Sequence, residues 1–287
     1  MKNQAINIGR GLAKEIRIET IRALCEAGYG HIGGSMSIAD VLGALYGVVM
    51  KIDPKNPNWD KRDWFILSKG HCGPALYSAL AIKGYFPKEY LKTLNQPGTY
   101  LPSHCDRLKT PGVDMSTGSL GQGISAAAGV ALAMKMQKRD NYVYCIIGDG
   151  EMQEGQVWEA LQTIANLNLY NLILFVDYNK KQLDGPLESI NKPFDLVAKL
   201  QSFGLEACMI KGYDMESILS AIDHSKGTRE KPFAIVLDTY KGLGCSFAEQ
   251  APFNHYMVIT PEMADEAIQI IQQRFDEGTD PRGDFRW

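Results

Sequence analysis

The sequence predicts an α/β protein built on a doubly wound, mainly parallel sheet with helices on both faces. Three observations carry that expectation. Short apolar runs of strand length recur along the chain, helical segments alternate with them, and polar, glycine-flanked stretches fall where strand would meet helix. Residues 5–27 set Leu12, Ile16 and Leu24 at multiples of four beside alanines, an amphipathic helix that stops at Gly28. The strand candidates are "WFIL" (64–67), "YVYCII" (142–147), "LILFV" (172–176), "EACMI" (206–210) and "FAIVL" (233–237). Between and around them, helices are expected over 74–83, 122–138, 154–166, 193–203 and 215–224. A last amphipathic helix lies in "ITPEMADEAIQIIQQRF", ahead of a weak tail. With no repeat, no low-complexity stretch and only "KIDPKNPNWDK" (51–61) as a further weak region, the expectation is one domain over 1–287 with a loose tail at 278–287.

Composition narrows the function. The 287 residues are 45% hydrophobic and 22% charged, enough for a large core. A net charge of -3 without a basic run argues against nucleic-acid and anionic-membrane partners. The six cysteines are scattered with no CxxC pair, which suits a reduced, cytoplasmic setting. The N-terminus is too polar for a signal peptide, and no window approaches 18 continuous apolar residues.

In an open α/β sheet, ligands bind outside the carboxyl ends of the strands. Five stretches fall there: "GYGHIGGS" (28–35), "LSKGHCGP" (67–74), "STGSLGQG" (116–123), "GDGEMQEG" (148–155) and "VDYNKKQLDG" (176–185). Asp149 would project from a strand end between Gly148 and Gly150, which let backbone approach a ligand. Magnesium takes oxygen ligands and is held by few protein groups. A second one is on offer at the next strand end, Asp177-Tyr178-Asn179; if the two strands are neighbours, Asp149 and Asn179 meet. Gly-Asp-Gly and D-x-N alone are also ordinary turn sequences. "GSLGQG" could be only a tight start to the helix beginning near Ile124, and it lacks a P-loop lysine.

The series GDG, E-x-x-W-E-A and N-L-x-x-x-x-D-x-N resembles the diphosphate-binding motif of thiamine diphosphate enzymes. "SKGHCGPALYSAL" and "STGSLGQGISAAAGVALAMK" resemble transketolase, so the chain is similar to the N-terminal half, or N-terminal subunit, of a transketolase from about Gly28 to Gly185, and more loosely to Gly244. That resemblance implies the diphosphate-binding module of the fold. It implies that Asp149, Asn179 and the Lys181 carbonyl hold magnesium, and that Gly150 offers its amide to the diphosphate. Gly118, Leu120, Gly148 and Glu154 would belong to the cofactor site, Glu154 also lying near a subunit interface.

Three histidines, His31, His71 and His104, sit in these loops. They could be ordinary polar loop residues, or a three-histidine zinc site, for which the sequence offers no short ligand spacing. The resemblance directs His71 toward the cofactor diphosphate, and His31 and His104 toward the substrate hydroxyls and the carbonyl under attack. Imidazole suits that work, since it can shuttle a proton near neutral pH without forming imines. His255 would also lie near the diphosphate, although Tyr256 follows it where relatives often carry glycine. His224 reads as a helix C-terminal cap. Glu159 reads as solvated or functional, and Trp158 as core or interface.

The resemblance also says what is missing. In full-length transketolases the glutamate that activates the cofactor's aminopyrimidine belongs to a following pyrimidine-binding domain, and this sequence stops at Trp287. A separate C-terminal subunit in an α2β2 assembly is the expected source, with sugar phosphates or related ketoses and aldoses as substrates. The reaction expected is transfer of a two-carbon ketol unit. A deoxyxylulose-phosphate-synthase-like condensation and a non-catalytic regulatory half-protein are the alternatives.

Overall fold

All five apolar runs form strands of one parallel sheet in the computed structural model, which describes residues 2–286. The chain opens with helix α1 (Lys2–Ala27), strand β1 (Tyr29–Gly30) and short helices α2 (Gly33–Ser37) and α3 (Ala39–Ala44). Then come β2 (Trp64–Leu67), α4 (Gly73–Lys83), α5 (Gln122–Met136), β3 (Val143–Gly148), α6 (Gly155–Asn166) and β4 (Leu172–Tyr178). The second half holds β5 (Lys181–Gln182), β6 (Gly185–Pro186), α7 (Leu187–Ile190), α8 (Leu196–Ser202), β7 (Glu206–Lys211), α9 (Met215–Gly227) and β8 (Phe233–Asp238). It closes with α10 (Ser246–Gln250), β9 (Met257–Val258) and α11 (Pro261–Asp276).

The sheet order is β2-β3-β4-β8-β7, every neighbouring pair parallel. Its central strands are apolar throughout because both faces are covered. Alternate side chains divide between two cores, as the two-residue period of a strand requires. Tyr144, Ile146, Phe175 and Ile235 pack toward α1, α4 and α9, while Val143, Cys145, Leu174 and Val236 pack toward α5, α6 and α8. Burying a side chain such as Phe175 stabilises the fold by about 1.5–3 kcal/mol.

α1 ends where expected, with Gly28 in the left-handed region at φ +82. It also carries a charge into the core, because buried Arg17 pairs with buried Asp40 of α3 and donates through Nε to the Leu243 carbonyl at 3.1 Å. α8 starts at Leu196 rather than 193, since Phe194 has φ +55 and Asp195 caps the helix by accepting from Ala198 N at 2.9 Å. After α11 the chain turns back: Thr279 bridges Arg286, Asp280 is buried, and Arg274 donates to the Pro281 carbonyl at 2.6 Å. The final residue of the expected 278–287 tail lies outside the described residues. No helix among the described residues is long and apolar enough to cross a membrane.

Candidate functional site

Parallel strands deliver their following loops to one edge of a sheet, and here the ends of β2, β3, β4 and β8 converge. β3 and β4 are adjacent, with Gly148 opposite Asp177, so Asp149 and Asn179 emerge side by side. They line a cleft of about 360 Å³ together with His31, His71, His104 and Lys241. Gly118, Leu120, Gly150, Glu154, Lys181 and His255 line it as well.

Asp149 is buried, and each of its oxygens accepts one backbone hydrogen bond. Its Oδ1 accepts from Gly150 N at 2.8 Å and its Oδ2 from Lys180 N at 2.6 Å, the latter made possible by the left-handed turn at Lys180 (φ +68). Burial, followed by the charge of Asp177, pushes its carboxyl up to about 7. The Gly150 amide expected to serve a diphosphate is thus engaged with its neighbour's carboxylate. Asn179 donates through Nδ2 to Asp177 Oδ2 at 2.7 Å, and its Oδ1 accepts from Lys181 N at 3.2 Å.

Asp177 is fully buried beneath the residues that line the cleft. Its Oδ2 accepts from Ser37 Oγ at 2.7 Å and from Lys69 Nζ at 2.5 Å, whereas its buried Oδ1 has no partner. Lys69, itself buried, also donates to the Gly34 carbonyl at 2.9 Å. Burial works against the charged form of Lys69, but the carboxylate of Asp177 and then the Cys72 sulfur outweigh it and raise the ammonium's pKa. Lys241 closes the oxygen cluster from the other side. Its Nζ donates to the Lys181 carbonyl at 3.2 Å and lies 3.0 Å from His255 Nδ1. Burial pulls it down to about 8, against the opposing charge of Asp149.

This donor set fits a hard cation. Asp149, the oriented oxygen of Asn179 and the Lys181 carbonyl supply neutral and anionic oxygens in one place, and an ammonium already leans on that carbonyl as a stand-in.

The histidines gather around His31. Its ring centroid lies 5.4 Å from those of His71 and His104, and 5.2 Å from that of His255, while His71 and His255 are 4.7 Å apart. All are driven toward the neutral form. Burial, then His104 and Lys241, lowers His31 to about 4, and burial, then Lys241, lowers His255 to about 3. Burial, then Lys69, holds His71 well below its usual value, and burial alone lowers His104. Neutral imidazoles at pH 7 can accept or relay a proton. Among the described residues no histidine, cysteine, aspartate or glutamate group could hold a metal by itself, so the three-histidine zinc alternative finds no support in the geometry.

Other candidates lie elsewhere. His224 sits in the last turn of α9 against Phe233, outside the cleft. Glu159 is exposed on α6, and Trp158 packs on Phe203 at 5.0 Å while donating to the Met152 carbonyl at 2.8 Å. Glu154 is exposed at the start of α6 on the rim of the cleft. Sequence reasoning assigned no role to Lys69, Lys241 or Asp177. The available signal was position: each follows an apolar run, in "SKGH", "TYKGLG" and "VDYN".

Comparison with known proteins agrees with this fold. Residues 8–286 match the family described as transketolase, thiamine diphosphate binding domain. The 6-deoxy-6-sulfo-D-fructose transketolase subunit SqwG of Clostridium sp. (strain MSTE9) is 50% identical over 95% of this chain and 99% of its own length. An apulose-4-phosphate transketolase subunit from Phocaeicola vulgatus is 35% identical over 91% of this chain and 92% of its own. Among solved structures, the transketolase of Leishmania mexicana superposes with a TM-score of 0.85 at 31% identity, covering 96% of this chain but 42% of that one. The chain therefore spans nearly the full length of relatives that are named as subunits, and less than half of the Leishmania structure.

Proposed function

The chain belongs to the transketolase family, and from that membership we propose that it is the N-terminal subunit of a split transketolase that moves a two-carbon ketol unit from a ketose to an aldose acceptor. The observation that carries the reading is the meeting of Asp149 and Asn179 at adjacent strand ends beside a cluster of neutral histidines. Magnesium would be held by Asp149, by Asn179 Oδ1 and by the Lys181 carbonyl, with Lys241 giving up its hold on that carbonyl. Gly118, Leu120, Gly148, Gly150 and His71 would surround the diphosphate, and His255 would approach it through Lys241. Thiamine diphosphate, when bound, supplies the nucleophilic carbon that no side chain here can offer.

This chain's residues handle protons and position. Half-buried His31 and exposed His104 line the cleft as neutral imidazoles, fit to donate an N–H hydrogen bond to a carbonyl oxygen as charge develops or to accept the proton of a substrate hydroxyl. Asp177 orients the Asn179 amide by accepting from its nitrogen, so that the oxygen, which accepts only from Lys181 N at 3.2 Å, keeps room for a ligand.

The other half of the site comes from a C-terminal, pyrimidine-binding subunit that supplies the activating glutamate, in an α2β2 particle. Support comes from the relatives that share this chain's length and are named as subunits. The donor is a ketose with an anionic tail, phosphorylated or sulfonated; the name of the relative at 50% identity favours assaying the sulfonated form first. Six free thiols suit a reducing cytoplasm.

Co-expression with the C-terminal subunit tests the reading. The purified chain with magnesium and thiamine diphosphate should show no ketol transfer, and the two-chain complex should show it. Robust turnover by the single chain would refute the split-enzyme reading, and a stable complex with no thiamine-dependent activity would favour a regulatory role.

A further inference from the structure

Three glycine-bearing segments meet at the wall of the cleft, and one carboxylate there takes hydrogen bonds from all three. Glu151 is 2% exposed. Its Oε1 accepts from Ser68 Oγ at 2.5 Å and from Gly121 N at 2.8 Å, and its Oε2 accepts from Gly148 N at 3.1 Å. Ser68 opens the loop after β2, Gly121 stands immediately before α5, and Gly148 ends β3.

Each backbone donor needs this acceptor for a local reason. Continuing the β2/β3 ladder would bring Gly148 N to the Ser68 carbonyl, but the chain turns there and that carbonyl accepts from Gly70 N at 2.9 Å. Gly121, at φ +82, precedes the first turn of α5, where a helix leaves its amides without internal acceptors. The same helix start is pressed against the serine: a Cβ on Gly123 would lie 2.5 Å from Ser68 Oγ. With all three donors satisfied, Glu151 has no need of a ligand.

We propose that Glu151 is a positioning residue for the diphosphate end of the site, locking three segments into one frame before any cofactor arrives. Those segments carry His71, the Gly118–Leu120 turn and Asp149. The inference rests on the thiamine diphosphate reading of the cleft given above. Its effect falls on cofactor affinity through preorganisation, and leaves the proton work to the histidines.

The test uses the full chain assembled with its C-terminal subunit. Glu151→Gln keeps the side-chain volume but sets an NH2 against at least one N–H or O–H donor. The Kd for thiamine diphosphate with magnesium should rise about 10- to 100-fold, the loss usual for a group that orients ligands without touching them. Magnesium pyrophosphate, tested as a bare diphosphate probe, should lose affinity in parallel, while kcat at saturating cofactor stays near its native value. A lowered melting temperature with unchanged Kd for both probes would mean a merely stabilising residue and overturn the proposal. Hydrogen exchange on the native, cofactor-free protein gives an independent reading should the variant not fold. The Gly121 and Gly148 amides should be protected, and their rapid exchange would equally overturn it. Failure of the native complex to bind thiamine diphosphate at all would strike the proposed function instead.

Discussion

Asn179 Nδ2 donates to Asp177 Oδ2 at 2.7 Å, so a buried carboxylate decides which end of the Asn179 amide is left for a ligand. The oxygen end shares its surroundings with Asp149. Replacing Asp149 with alanine should abolish magnesium-dependent cofactor binding in the assembled enzyme while leaving the fold intact. Calorimetry on the complex reads this directly, and an unchanged affinity for thiamine diphosphate would remove Asp149 from the proposed metal site.

His104→Ala should separate binding from turnover. The ring is not hydrogen-bonded to the Asp149 and Asn179 cluster, so cofactor affinity should hold. The rate should fall by about 10²–10⁴-fold, the usual range for lost acid–base assistance. Native turnover at a saturating ketose would show the side chain to be structural.

Acidification should remove the stability that two neutral histidines contribute, against the opposite slope of Asp149, whose carboxyl is raised to about 7. Both His31, lowered to about 4, and His255, lowered to about 3, titrate in the fold below their ordinary 6.5. The unfolded chain therefore binds protons first as pH drops. Their neutral forms contribute full stability above about 6.5, and that contribution is lost progressively as pH falls toward 4. Thermal melts at about pH 7.5 and about pH 5 should differ more for the native chain than for His31→Gln or His255→Gln. An identical pH penalty in all three proteins contradicts the assignment.

Arg17→Ala should be severely destabilising. Removing the guanidinium strands Asp40 as a buried charge and frees the Leu243 carbonyl, at a cost of about 3–5 kcal/mol. Urea unfolding would measure it, and a shift below about 1 kcal/mol would mean that water reaches the pair.

The strands were legible because each is a largely apolar run of the right length between polar turns, with β7 alone carrying a charge at both ends. The link between Asp149 and Asn179 was legible because two successive strand ends carried oxygen donors. Lys69, Glu151 and Arg17 were not, since a charged residue beside an apolar run reads as surface. Their partners come from distant sequence, Asp177 lying 108 residues from Lys69. The ribbon of β1 with β9 escaped for another reason: two residues per strand are too few to show an alternation.

The rungs joining β3 to β4 act as a ruler for anyone rebuilding this protein. One residue inserted into either strand would slide Asp149 past Asn179 by about 3.3 Å and turn it to the opposite face of the sheet. The connection at 167–171, between α6 and β4, lies at the far end of the strands, and length added at exposed Leu167, ahead of buried Leu169 and Asn171, falls away from Asp149 and Asn179. Loop grafts and length changes placed there should leave the Asp149–Asn179 pairing proposed to hold magnesium intact, whereas the same edit a few residues later, inside β4, would erase it.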